Sequence, residues 1–228
     1  MHVDVLGPPR VRVGGAPVRF RSRKAEALTY DLAVERGRHS RARLAALLWD
    51  DVAGGANLRV ILNDVRKHLG PHVIVDAATQ RVGLTDVHCD VDALDGPATD
   101  APNGRLGPQL RADPSLLEGF DVADAPAFEA WRDEADAHVR ERLARLRAQA
   151  LDAALDADDL PTALDLADAT CRAAPWDVLA LARLVRLALR VGANERAAHR
   201  LDGTETAVAE VGGDEALAQV AALRPTSA

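Results

Sequence analysis

A segment rich in glycine and proline divides this chain of 228 residues into two parts with different hydrophobic patterns. The segment runs from Asp95 to Pro108 and has no hydrophobic periodicity, which is typical of a loop or linker. Before it, strand-like patterns of period two flank helical patterns; after it, the patterns are almost wholly helical. A chain of this length has room for two domains. We predict one domain over 1–94, a linker over 95–115 and a helical domain over 116–228.

The order of elements in the first part is strands, three short helices and a hairpin. Val3, Val5, Val11, Val13, Val18 and Phe20 predict the strands. We predict a first helix over 23–35, a second that begins after an N-cap at Ser40, and a third over 56–69. Two hairpin strands are predicted over 72–76 and 81–84. This order is that of a winged helix-turn-helix. The second and third helices form the turn-helix pair, and the hairpin is the wing.

The second part is predicted to begin with a long helix over 125–157, followed by helices from residues 160, 177 and 194. Ala163 and Ala197 are 34 residues apart. A period of about 34 residues, with a proline between paired helices, is the tetratricopeptide spacing. Few other identities recur, so a plain helical bundle is the alternative. The predicted fold is therefore an α+β winged helix-turn-helix followed by an all-α, tetratricopeptide-like domain.

Charge is divided unevenly along the chain. The total of −7 combines 14 basic and 10 acidic residues up to residue 90, a net +4, with 14 basic and 25 acidic residues after it, a net −11. Such an asymmetry favours a basic domain for a polyanion joined to an acidic domain with another role. The alternative is that the acidic part is merely well solvated.

The third helix is the candidate for reading DNA bases. Its apolar stripe consists of Leu58, Ile61, Leu62, Val65 and Leu69, which leaves Asn57, Arg59, Val60, Asn63, Arg66 and Lys67 facing outward. Arginine can donate two hydrogen bonds to guanine, and asparagine can pair with adenine, in the major groove. Asp64 lies on or near this face, where phosphates would repel its carboxylate. The alternative is an ordinary solvated helix.

Phosphate contacts are expected from arginines around this helix. The candidates are Arg38, Arg41 and Arg43 near the second helix and Arg81 in the wing, with Arg21, Arg23 and Lys24 as further candidates. Pairing with local carboxylates such as Asp50 and Asp51 is the alternative. We expect about half of these cations to touch DNA.

Other classes of function find little support in the sequence. No glycine-rich phosphate loop or nucleophile elbow is present, so we predict neither a catalytic site nor a cofactor. His72, His88 and Cys89 match no zinc-finger spacing, so we predict no metal site. No apolar run approaches the ~20 residues that span a bilayer, and no secretory signal is visible. We expect a cytoplasmic protein without membrane contact.

Several motifs resemble those of one group of bacterial regulators. Leu6-Gly7-Pro8, Arg43-Leu44-x-x-Leu47-Leu48-Trp49 and Asn57-Leu58-Arg59-x-x-Leu62 are similar to the OmpR-type winged helix of the SARP group, which regulates antibiotic pathways. Leu117-Glu118-Gly119-Phe120, Phe128-x-x-Trp131 and the helical repeats resemble the bacterial transcriptional activator domain, BTAD. The resemblance covers nearly the whole chain.

The resemblance implies a transcriptional activator that binds double-stranded promoter DNA through its winged helix. Its helical domain would contact RNA polymerase or another protein. A homodimer bound to direct DNA repeats is one possible arrangement. The third helix would enter the major groove, and Arg81 would approach the minor groove. The alternative function is an interaction scaffold whose winged helix no longer binds DNA.

Overall fold

The fold is described from a computed structural model of the chain. It describes residues 1–50, 54–76, 78–96, 107–211 and 214–224, so most of the predicted linker and Asp51 lie outside the described residues. Contacts divide the chain into two compact units. The first combines Met1–Asp95 with Pro114–Arg140, and the second combines Gly96–Asp113 with Glu141–Ala228. These units are defined by contacts, so the domain bounds predicted from the sequence, 1–94, 95–115 and 116–228, stay a prediction.

Two small sheets form the strand part of the first unit. The four-stranded sheet has the order β3-β2-β1-β7 and consists of β1 (His2–Asp4), β2 (Arg10–Val13), β3 (Ala16–Pro17) and β7 (His88–Cys89). Its pairs are antiparallel except for β1 with β7. The antiparallel three-stranded sheet has the order β4-β6-β5 and consists of β4 (Arg38–Ser40), β5 (Val73–Val75) and β6 (Arg81–Leu84).

The predicted hairpin is confirmed as β5 and β6. The strand expected at Val18 and Phe20 is wrong. The Val18 amide donates a hydrogen bond to the Val11 carbonyl of β2 at 2.8 Å, and the chain then turns toward Ser22. Ser22 caps the first helix, and the Phe20 ring lies 5.4 Å from the His68 ring. Capping and packing therefore end the extended backbone early.

Three helices complete the winged helix. They are α1 (Arg23–Glu35), α2 (Arg41–Leu48) and α3 (Gly54–Leu69). The Ser40 hydroxyl accepts a hydrogen bond from the Arg43 amide at 3.2 Å, which confirms the predicted N-cap of α2. The apolar stripe predicted for α3 is buried, and so are the apolar faces of α1 and α2, which include Ala25, Leu28, Leu32, Leu44, Leu47 and Leu48. The backbone leaves α1 through two residues with positive φ, Arg36 and Gly37, rather than through glycine alone.

The described residues also form two short 3-10 helices, Gly70–His72 and Asp90–Asp95, and six further α-helices. The α-helices are α4 (Gly107–Ala112), α5 (Pro126–Asp156), α6 (Leu160–Ala173), α7 (Val178–Val191), α8 (Asn194–Val211) and α9 (Asp214–Ala222). In the second unit α6 packs on α7, α7 on α8 and α8 on α9. The left-handed Gly192, with φ of 76°, ends α7. This stepwise packing is that of a helical repeat array.

An aromatic cluster explains why Pro114–Arg140 belongs to the first unit. Phe120 lies edge-on to Tyr30 of α1 at 5.1 Å, and Phe128 lies 6.0 Å from Phe120. The Trp131 indole donates a hydrogen bond to a Glu35 carboxylate oxygen at 2.7 Å. The segment that carries the Gly-Phe and Phe-x-x-Trp motifs therefore packs on the winged helix.

No helix in the described ranges has both the length and the apolar character needed to cross a membrane.

Candidate nucleic-acid interface

The outer side of α3 is polar and solvent-exposed. Leu58, Ile61, Leu62, Val65 and Leu69 are all at most 9% exposed and anchor the helix in the core. The outward residues are those that the spacing predicts: Asn57, Arg59, Val60, Asn63, Arg66 and Lys67 are all exposed. Val60 is 69% exposed, an unusual position for a large apolar side chain.

Asp64 does not join this outer face. Its side chain is only 14% exposed, and a carboxylate oxygen accepts a hydrogen bond from the Arg21 amide at 3.4 Å. The other carboxylate oxygen lies 3.5 Å from the His68 ring nitrogen Nδ1. Within Gly54–Leu69 no carboxylate is therefore exposed, which removes the repulsion toward phosphates that the sequence suggested.

The cations of the outer face are not neutralised by carboxylates of the described residues. Arg59, Arg66 and Lys67 form no ion pair with any carboxylate in the part of the chain that the structure describes. Arg66 and Lys67 lie in the last turn of α3. Their charge is therefore available to an external anion.

A groove of about 410 Å³ runs beside these residues, between α2 and α3. Its lining consists of Arg41, Arg59, Val60, Leu62, Asn63 and Arg66. Arg41 is the first residue of α2, and its Nε atom is buried without a hydrogen-bond partner among the described residues. An unsatisfied buried donor costs about 1–3 kcal/mol, so an anion that reaches this nitrogen would be stabilised.

Arg43 has a different environment, although it is only two residues from Arg41. Its guanidinium donates two hydrogen bonds, at 2.9 and 2.8 Å, to the two carboxylate oxygens of Asp31. Asp31 lies in α1 and is completely buried. Burial raises the pKa of Asp31, and the hydrogen bond to Asp31 raises the pKa of Arg43. The pair ties α2 to α1, so Arg43 serves to position α2.

Asp31 was not among the residues predicted to have a role. The available signal was its position between Leu28 and Leu32, which form the apolar stripe of the helix predicted over 23–35. A carboxylate on a buried stripe requires a cationic partner.

The wing brings Arg81 and Arg38 to one sheet. Arg81 is exposed and pairs in register with Ser40, the cap of α2. An Arg38 guanidinium nitrogen lies 3.2 Å from an Asp76 carboxylate oxygen. Hydrogen bonds from the Thr79 and Ala78 amides lower the pKa of Asp76, which keeps this partner ionised. Arg81 is therefore the more available of the two arginines.

The further candidates divide in the same way. The Lys24 ammonium donates to the Leu48 carbonyl at 2.7 Å and to the Asp124 carbonyl at 3.2 Å, and it lies 5.0 Å from the Trp49 ring centroid. Lys24 therefore stabilises the packing of α1. The Arg23 guanidinium lies 4.8 Å from the Phe120 ring centroid and 3.4 Å from a Glu26 carboxylate oxygen, and both Arg23 and Arg21 are exposed.

The histidines and cysteine considered as metal ligands do not form one cluster. His72 is hydrogen-bonded at the Thr85 carbonyl, and His88 is stacked on His2 at 5.1 Å. Cys89 is buried, and burial raises the pKa of its thiol to about 12. No group of three potential metal ligands occurs among the residues with described positions.

Comparison with known proteins supports the fold. Neither the protein-family models nor the curated protein sequences give a match. Among solved structures, Mycobacterium tuberculosis EmbR in complex with a low-affinity phosphopeptide matches with a TM-score of 0.65 at 18% sequence identity. The likeness covers 99% of this chain and 66% of that chain.

At this identity the likeness shows the fold alone. It confirms a winged helix-turn-helix followed by a helical domain, which is the fold that the SARP resemblance implies. This chain spans 66% of that solved chain, less than two thirds of it. The phosphopeptide complex is therefore attributed to EmbR alone.

Proposed function

We propose that this chain is a DNA-binding transcriptional regulator of the SARP type. The observation that carries the proposal is the outer face of α3. This face presents Asn57, Arg59, Asn63, Arg66 and Lys67 to solvent with no exposed carboxylate in the helix. A cationic and amide-rich helix face of this kind matches the width and hydrogen-bonding groups of the DNA major groove.

The chemistry of each side chain suggests its role. Arg59 and Arg66 can each donate two hydrogen bonds to guanine, and Asn57 and Asn63 can pair with adenine. Each well-made pair of this kind discriminates against a wrong base by about 1–3 kcal/mol. Lys67 supplies a point charge for a phosphate. The exposed Val60 offers an apolar contact for a thymine methyl group.

Phosphate contacts around this face fix its position on the duplex. Arg41 contributes through its unsatisfied Nε atom, and Arg81 contributes from the wing. Arg38 can join them when it leaves Asp76, since this ion pair is half exposed and weak. Arg43 contributes through its pairing with Asp31, which holds α2 in place.

The helical part is proposed to bind RNA polymerase or another protein and so to activate transcription in the cytoplasm. The support is its resemblance to BTAD, its repeat-like packing and the net charge of −11 after residue 90. An acidic surface disfavours DNA contact in this part and leaves it for protein.

A selection of genomic fragments by the purified chain, at two salt concentrations, tests the proposal. We expect one family of related sequences that survives the higher salt. With ~4–6 phosphates neutralised, log K should fall with log salt with a slope of roughly −4 to −5. Loss of every fragment at the higher salt would leave only non-specific attraction and would contradict sequence-specific regulation.

The scaffold function would give a different result in the same experiment. It predicts no retained fragment even at low salt. Asp64 is one of the sequence features that favour it, and the hydrogen bond from the Arg21 amide to this carboxylate weakens that support. We therefore favour the DNA-binding function.

A further inference from the structure

A groove of about 400 Å³ lies in the second unit beside α7. Residues from α5, α6 and α7 line it, together with the turn that precedes α7, and they include Ala148, Ala167, Leu179, Arg183 and Arg186. Six of the ten lining side chains are apolar, and four of these six are alanine, so the groove has room for a large apolar side chain from outside.

The lining carries two arginines and one aspartate, a net charge of +1. No ion pair with Arg186 occurs among the described residues, and Arg183 lies 3.6 Å from the exposed Asp152. Asp177 is the acidic residue of the lining, but one of its carboxylate oxygens accepts hydrogen bonds from the Leu179 and Ala180 amides at 2.9 and 3.0 Å. Its negative charge is therefore engaged in capping α7.

Large apolar side chains are exposed at and just before the start of α7. Leu179 of the lining is 82% exposed, and Trp176, three residues earlier in the sequence, is 61% exposed. Neighbouring large apolar groups at a protein surface mark interaction sites, and tryptophan and arginine dominate the binding energy of interfaces. The combination of Trp176, Leu179 and Arg186 therefore has the composition of a docking site.

We propose that this groove docks an acidic, amphipathic segment of a protein partner. One large apolar side chain of the segment enters between Ala148 and Ala167, and its carboxylates pair with Arg183 and Arg186. Because the chain after residue 90 carries a net charge of −11, most of this surface repels an acidic segment, and the groove is where its charge is complemented. The inference deepens the proposed function by giving the protein-binding role a site and a partner chemistry.

Selection from a display library of random peptides of about 12 residues, with the full chain as bait, tests the proposal. We expect enriched peptides that combine at least two acidic residues with Leu, Phe or Trp. Arg186→Glu should weaken these peptides by about tenfold or more and should itself select peptides that carry Lys or Arg. The matched control is Arg190→Glu, which lies one turn further along α7, outside the lining, and should change binding by less than about twofold.

The apolar contact is tested with a second matched pair. Leu179→Ser should also weaken the peptides by about tenfold, whereas Leu189→Ser should have little effect. Leu189 is 47% exposed on the same helix and does not line the groove. Helical circular dichroism of each variant checks that the unit remains folded.

Three results would overturn the proposal: no enrichment, enrichment of basic peptides, or equal losses in groove and control variants. A dimer that Leu179→Ser dissociates would also overturn it, because the occupant would then be a second copy. DNA retardation by the same variants separates the two claims. Normal DNA binding without peptide binding contradicts the groove alone, and the reverse result contradicts the DNA-binding function alone.

Discussion

Arg41 and Arg43 show how neighbouring residues of one type acquire different roles. Both are in the first turn of α2, and the sequence gives no reason to separate them. Arg43 lies over the buried Asp31 and forms a two-armed pair with it, whereas Arg41 lines the groove beside α3. The difference depends on which face α2 turns toward α1, which is a tertiary feature.

Replacement of Arg43 by alanine should destabilise the first unit. The buried Asp31 carboxylate would lose its partner, and we expect a loss of about 2–3 kcal/mol in the free energy of unfolding. This is less than the ~3–5 kcal/mol of a fully buried pair because Arg43 is about one-third exposed. Urea unfolding of the variant measures the loss.

The double variant Asp31→Leu with Arg43→Met is the control for this prediction. It removes both charges and should recover most of the lost stability. A stable Arg43→Ala variant that binds DNA poorly would instead make Arg43 a DNA contact.

Val60 provides a test of base reading by a single side chain. Val60→Ala should weaken binding to the selected DNA site by about three- to tenfold, because a contact with a thymine methyl group is lost. Replacement of the contacted thymine by uracil should cause a similar loss in the wild type and no further loss in the variant. Additive losses in this double cycle would refute the contact. Stability should change by less than about 0.5 kcal/mol, since Val60 is exposed.

At the scale of elements, the approach of β4 to β6 depends on one glycine. A Cβ atom on Gly83 would lie 2.3 Å from the Gly37 carbonyl oxygen, which is far inside contact distance. The hairpin could be predicted from its two apolar runs. The third strand, β4, could not, because Arg38–Ser40 is short and polar.

Gly83→Ala should therefore displace β6 from β4 and destabilise the first unit by about 2 kcal/mol or more. It should also weaken DNA binding, since Arg81 lies on the same strand. The control is Gly203→Ala in α8, where a Cβ atom meets nothing within 4 Å. This control should stabilise its helix by about 0.5–1 kcal/mol. Thermal unfolding of both variants measures these changes in stability. A Gly83→Ala variant as stable as the wild type would contradict the close approach of β4 to β6.

The packing of α6 on α8 should make the second unit sensitive to acid. Asp168 lies in α6, and its carboxylate accepts a hydrogen bond from Arg200 of α8 at 2.5 Å and also pairs with Arg172. Although burial opposes ionisation, the Arg200 hydrogen bond and the charges of Arg200 and Arg172 lower the pKa of Asp168. The ionised form is therefore favoured by folding.

Because the folded pKa lies below the ordinary aspartate value of 3.8, this stabilisation is complete above that value and disappears as the pH falls through the folded pKa. Asp168→Asn should cost about 2 kcal/mol near pH 7 and progressively less below pH ~4. Urea unfolding at both pH values measures the difference. A cost that is independent of pH would assign the effect to shape rather than charge.

In the whole molecule, hydrophobic periodicity predicts the helices and their buried faces, but it does not predict contacts between residues that are far apart in the sequence. The spacing of apolar residues predicts each helix and its buried stripe. In α3 the spacing of Leu58, Ile61 and Val65 also predicts the exposed side. The grouping of Phe120 with Tyr30, and the inward turn of Asp64, do not follow. Both depend on partners far away in sequence, which a local pattern does not specify.

The charge asymmetry and the exposed cations of α3 together predict that this helix binds DNA. The most direct measurement is the salt dependence of affinity for a selected DNA fragment, with Arg66→Ala/Lys67→Ala against the wild type. The control is Arg145→Ala/Arg190→Ala, which removes the same charge from exposed positions in the second unit. We predict weaker binding and a salt slope reduced by about two for the α3 variant, and no change for the control. An α3 variant with the affinity and slope of the wild type would contradict the claim.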